Sequence, residues 1–158
     1  MLKNTLLTAG VAALLLATGC GVSRASDSHP RVLFDPRDDG YPFSEAVQVG
    51  DVLYLSGQVG LAADGKSLAE GGIAGETARM MELIGATLKS HGLGFGDIFK
   101  CTVMLTDMEE WGAFNAIYAG YFEPGRYPAR SAMGVKALAL GARVEMECWA
   151  YAPRAEGR

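Results

Sequence analysis

The chain has 158 residues and a mass of 16.7 kDa, with 14 Lys and Arg against 18 Asp and Glu, 49% hydrophobic residues and 20% charged. That suffices for one globular domain with its own core and is too little for two. A formal charge of −4, a pI near 5.2 and no cluster of Lys or Arg argue against any function that depends on neutralising phosphates, so no nucleic-acid partner is expected.

Residues 1–20 differ from the rest. Lys3 is followed by an apolar and small run from Leu6 to Ala17 that ends at Thr18-Gly19-Cys20, the three-part shape of a secretory signal. Twelve helical residues rise about 18 Å, short of the roughly 30 Å of a bilayer core, so a permanent span is not expected. Leu16-Ala17-Thr18-Gly19-Cys20 resembles the lipobox of bacterial lipoproteins, with Ala17 where Leu is commonest, and makes Cys20 the candidate lipidation site and membrane tether. Ser23-Arg24-Ala25 is a competing small-x-small site that would release a soluble periplasmic or secreted protein, and an uncleaved start is the third outcome. Loss of residues 1–19 removes only Lys3, leaving 13 basic against 18 acidic residues and a net charge of −5.

Residues 21–39 are rich in Ser, Asp and Pro and read as a linker running into a short edge strand at Val32-Leu33-Phe34. The domain proper is expected over residues 40–153, with a short tail at 154–158. Ala46 to Val49 and Val52 to Ser56, joined by Gly50-Asp51, predict a β-hairpin. From Ile73 to His91 the apolar positions Ile73, Thr77, Met81, Ile84 and Leu88 recur every three or four residues, with Glu76, Arg79, Glu82 and Lys89 between them, which predicts an amphipathic helix stopped by Gly92. Met80, Met81 and Met104 are core filler in this reading, and no metal site is expected.

Asp97 to Leu105 reads as a strand. Thr106 or Asp107 caps a second helix over Glu109 to Phe122, whose predicted buried stripe is Trp111, Phe114, Ile117 and Tyr121. Strands at Ala129 to Val135 and Arg143 to Tyr151 complete the chain. The order is hairpin, helix, strand, helix, strand, strand, an α+β arrangement of two helices on one face of a mixed sheet. Cys101 and Cys148 each lie in an apolar strand-like run. An exported protein permits a disulfide, but two cysteines make no framework, and both are expected as unpaired core residues.

Ser56-Gly57-Gln58, Asn115-Ala116-Ile117-Tyr118 with Tyr121-Phe122, Tyr127-Pro128-Ala129-Arg130-Ser131 and Val144-Glu145-Met146-Glu147, in this order, resemble the reactive intermediate deaminase (Rid, or YjgF) family. The likeness spans about Gly40 to Pro153. It implies a chorismate-mutase-like fold that assembles as a homotrimer, with clefts between subunits. It further implies a 2-iminobutanoate/2-iminopropanoate deaminase-like hydrolase. Such an enzyme converts 2-aminoacrylate or 2-iminopropionate to the 2-keto acid and ammonia without a cofactor.

The residues suit that chemistry. A small anionic imino acid needs a fixed cation, and the planar guanidinium of Arg130 grips a carboxylate through two parallel bonds. Hydrolysis of C=N needs a positioned water and an acid/base group, which a partly desolvated Glu145 supplies. Ser56, Asn115, Phe43 and the backbone around Ala132 are expected to shape the cleft. Arg130 paired with Glu145 or Glu147 across neighbouring strands is the structural alternative. Three positions depart from the family pattern: Phe43 stands where a Tyr is usual and lacks its hydroxyl, Ala132 replaces a Cys, and Gly134 replaces a common Glu. A non-catalytic trimer that binds a small carboxylate, or a chaperone-like envelope module, is the competing reading.

Overall fold

The computed structural model describes residues 31–153; the expected signal segment, Cys20 and the tail at 154–158 lie outside the described residues. Strands β1 (Val32–Pro36), β2 (Ser44–Val49), β3 (Val52–Leu55) and β4 (Gln58–Val59) precede helix α1 (Gly72–Ser90). Strand β5 (Ile98–Leu105), helix α2 (Trp111–Tyr118), β6 (Ala129–Gly134) and β7 (Val144–Tyr151) follow. The sheet order is β1-β2-β3-β7-β5-β6, with the short β4 also paired to β7. Among the described strands only β5 and β6 run parallel, and α2 makes the crossover between them. This is the mixed α+β sheet expected, and β1 at its edge is the short strand expected at Val32-Leu33-Phe34.

Period-two alternation decides what each strand buries. In β7, Val144, Met146, Cys148 and Ala150 are buried while Glu145, Glu147, Trp149 and Tyr151 project from the other face. In β5, Cys101, Val103 and Leu105 share the buried side. Against them α1 sets Met80, Met81, Ile84 and Leu88, and α2 sets Phe114 and Tyr118. At roughly 25 cal/mol per Å² of apolar surface, this one-sided core is the main stabilising term.

Two expectations for the helices are corrected. The second helix buries Phe114, Tyr118 and Phe122, with Trp111 and Tyr121 half-buried against the same core as expected but Ile117 not part of it, and its α-helical part is shorter than predicted, flanked by 3₁₀ turns at Met108–Glu110 and Ala119–Tyr121. In α1, Glu76 is buried rather than solvent-facing; its Oε2 accepts the Arg143 N–H at 2.8 Å.

The expectation of two free thiols is overturned as well. The antiparallel register of β5 and β7 sets Cys101 directly opposite Cys148, with Cα atoms 4.1 Å apart, and the sulfurs are bonded. Both residues are buried, which makes the bond a staple of the core. Closing a loop of sequence separation 47 stabilises by about 4 kcal/mol in the chain-entropy picture. Urea unfolding of Cys101→Ser is therefore expected to show a loss of up to about 4 kcal/mol. A non-reduced digest of the wild type should hold the two peptides together, and recovery of two free thiols would contradict the pairing.

Candidate active site

Arg130 lies on the edge strand β6, opposite Cys101 of β5 in the parallel register. Cys101 in turn faces Cys148, so all three side chains share the helix-covered face. There the guanidinium meets α2. Its Nη2 donates to Asn115 Oδ1 at 2.7 Å, and its carbon stands 4.5 Å from the Tyr118 ring centroid, 4.7 Å from that of Trp111 and 5.5 Å from that of Phe114. Trp111 thus packs against the core and turns one face to a cation, a contact that is favourable because ring faces are negative.

Arg130 makes no ion pair among the described residues. Its Nη1 and the Tyr118 hydroxyl are both buried without hydrogen-bond partners. Burial raises the Tyr118 phenol above its ordinary pKa, opposed by the neighbouring guanidinium. Asn115, Tyr118, Tyr127, Pro128 and Arg130 surround a cleft of about 400 Å³. Fixed in plane by rings and by Asn115, with a donor unsatisfied, the guanidinium is preorganised for an anionic acceptor.

Glu145 belongs to a second cavity, of about 390 Å³, lined among others by Phe43, Gly57, Leu61, Leu140 and Tyr41. Its carboxyl pKa is raised, first by burial and then by the negative charge of Glu147 two residues along the same face. A carboxylate held this way is a stronger base than a solvated one. Gly57 explains part of the Ser-Gly-Gln sequence: a Cβ there would stand 2.2 Å from Glu145 Oε1. Gly57→Ala is expected to push the carboxylate aside and cut turnover about a hundredfold, the usual cost of a 1 Å misplacement, without loss of the folded state by circular dichroism. Full activity in that variant would show that the carboxylate position does not matter.

Of the remaining expected site residues, Asn115 lines the Arg130 cleft and Phe43 the Glu145 cavity, while Ser56 and Ala132 line neither. Phe43 walls the Glu145 cavity, stacked 5.1 Å from the Arg37 guanidinium carbon. Arg37 itself is held by Asp39 and Glu45. Ser56 does not line either cavity; its hydroxyl donates to the Ser44 carbonyl at 2.6 Å and so fastens the strand end just before Gly57. Ala132 follows Arg130 on the same face of β6 and packs against the core. Asn115 is the residue that orients Arg130.

Arg130 and Glu145 do not meet within one chain. Strand β5 lies between their strands, and alternation puts them on opposite faces of the sheet. A structural salt bridge between them, the alternative reading, is therefore not formed. Tyr118, Trp111, Gly57 and Leu140 were not anticipated as site residues; only Gly57 and Tyr118 sat in stretches already singled out.

The family model described as Endoribonuclease L-PSP matches residues 38–152. A mouse protein named 2-iminobutanoate/2-iminopropanoate deaminase is 44% identical over 106 residues, covering 67% of this chain and 78% of its own. The crystal structure of RidA from an Antarctic Psychrobacter superposes with a TM-score of 0.67 at 33% identity, over 74% of this chain and 93% of that one. A Rid protein of unknown function from Yersinia pestis gives 0.68 at 36% identity, over 74% and 92%.

Proposed function

The chain belongs to the Rid family described as Endoribonuclease L-PSP, and on that premise we propose that it hydrolyses 2-imino and 2-enamine acids to the 2-keto acid and ammonia. The observation that carries this reading is a pair of half-sites: a carboxylate receptor around Arg130 and a base around Glu145, each complete in one chain and each facing away from the other. A homotrimer reconciles them, with the Arg130 cleft of one subunit closing over the Glu145 cavity of the next. The open sheet face supports self-association. Phe99, Met133, Trp149 and Tyr151 are exposed there, with Tyr54 and Trp149 rings 5.0 Å apart, and a patch of large apolar side chains of this kind is characteristic of an interface.

In the assembled cleft the substrate carboxylate pairs with the Arg130 guanidinium and takes the Nη1 donor that has no partner within the chain. Glu145 accepts a proton from a water that attacks C2 of the imine; the electron pair of C=N moves to nitrogen. Glu145 hands that proton to the nitrogen, giving the carbinolamine; it then takes the hydroxyl proton and passes it to the nitrogen as the C–N bond breaks, so the keto acid forms and ammonia departs. The overall change is imino acid plus water to keto acid plus ammonia, with no other reactant.

The family description names an endoribonuclease. The acidic composition and lack of a basic cluster give RNA no purchase on this chain, and the two half-sites suit a small carboxylate better. The loss of a hydroxyl at Phe43 favours a second reading, a trimer that binds such a carboxylate without turnover. For the compartment we propose export, with tethering through lipidated Cys20 the favoured form; the buried Cys101–Cys148 bond supports it, since disulfides persist where the surroundings are oxidising. The test is to generate 2-iminopropionate with an amino-acid oxidase and follow its trapping by semicarbazide. Accelerated loss of the imine supports the deaminase, whereas none in a folded trimer favours the binder.

A further inference from the structure

Leu140 is the only residue other than glycine with a positive φ among the described residues, at φ 57° and ψ 10°. In that left-handed region a Cβ crowds the following carbonyl, which is why Gly or Asn usually stands there; Gly141, at φ 77°, is the next residue. The strain is not offset by burial within the chain, for Leu140 is 58% exposed. What its side chain does is line the Glu145 cavity, beside Ala139 and near Leu61, Val59 and Phe43. Strain retained at the rim of a site calls for a functional explanation.

The polar groups of this cavity narrow that explanation. Arg37, the cation on its wall, is engaged by Asp39 and Glu45, and the Gln58 amide donates to Glu45 at 2.9 Å. A second carboxylate on a substrate would meet Glu145 and these acids with no uncommitted cation beside it. An alkyl chain would meet apolar wall.

We propose that Leu140 is a specificity-determining residue that receives the side chain of the 2-imino acid, favouring alkyl chains of several carbons over a methyl group and rejecting acidic ones. The inference rests on the deaminase reading above and adds the substrate subclass to it. Discrimination of about tenfold or more is what extra methylenes in an apolar pocket provide.

The experiment compares kcat/KM for imines made in place from alanine, leucine and glutamate by matching oxidases, using wild type, Leu140→Gly and Leu140→Asn. Both replacements suit the left-handed backbone, so the fold is kept, and sedimentation checks the assembly. The wild type should prefer the leucine-derived imine to the alanine-derived one by about tenfold and use the glutamate-derived one least. Both variants should bring the leucine-to-alanine ratio close to one. A wild-type ratio near one, or an unchanged ratio in both variants, overturns the role of Leu140 while leaving the deaminase intact. A wild type that turns over none of the three overturns the deaminase reading and this inference together.

Discussion

Arg130→Ala is expected to lower kcat/KM on 2-iminopropionate by about 10²- to 10⁴-fold, the equivalent of two charge-assisted hydrogen bonds at roughly 1.5 to 3 kcal/mol each. The loss falls on binding and on rate alike, because an ungripped carboxylate also leaves C2 unaligned with the attacking water. Stability should change far less. The guanidinium contributes contacts with Trp111, Phe114 and Tyr118, worth about 1 to 2 kcal/mol, and its removal frees no buried charge. Arg130→Lys keeps the charge but loses the planar fork and the stack, and should recover only part of the activity. Retention of full activity by Arg130→Ala in a folded trimer would remove the basis of the proposed function.

Glu145→Gln should cost about 10²- to 10⁴-fold in kcat, the span of general acid–base catalysis. Its pH behaviour is more diagnostic than its size. Burial and the Glu147 charge raise the Glu145 pKa, so the acid limb of the wild-type rate profile should lie above the usual carboxylate value. Glu147→Gln should move that limb downward, and Glu145→Gln should abolish it. The same shift fixes the sign of the effect on stability. A carboxyl whose folded pKa is raised binds its proton more tightly folded than unfolded, so its support for the fold is present at low pH. That support is lost as pH rises from the unfolded pKa through the folded one. At pH 7 the ionised Glu145 therefore weakens the fold, and Glu145→Gln should melt above the wild type, with the difference fading near pH 4. A variant less stable than wild type at neutral pH would show that the carboxylate is a structural anchor instead.

How much of this was legible beforehand depended on whether the signal was local. The first helix announced itself through spacing, and its core residues Met81, Ile84 and Leu88 are where the period put them. The second helix was harder, because aromatic and aliphatic residues occur at both three- and four-residue steps. The stripe went to Phe114, Tyr118 and Phe122, while Trp111 was drawn toward the cation on β6. Strand β4 has two residues, too few for any periodicity. Glu76 departs from the helix pattern because a carboxylate between apolar helix positions normally faces water, and only the return of the chain at Arg143 supplies its buried donor.

Arg130, Glu145, Asn115 and Phe43 were identifiable from local sequence, but their division into two cavities was not. That division follows from strand order, which sets β5 between β6 and β7, and from register, which decides the face each side chain takes. The disulfide has the same origin. Nothing in the apolar runs around Cys101 and Cys148 says that they stand opposite each other until the strands are paired.

The placement of Arg130 and Glu145 on opposite faces also has a genetic meaning. If each cleft draws its arginine from one subunit and its glutamate from the next, a defect in either residue is not confined to the copy that carries it. Co-expressed Arg130→Ala and Glu145→Gln chains, each inactive alone, would form mixed trimers in which one cleft regains both groups. The two alleles would complement each other, while either one beside the wild type would lower activity only in proportion to its share, because each mutant subunit disables a single cleft.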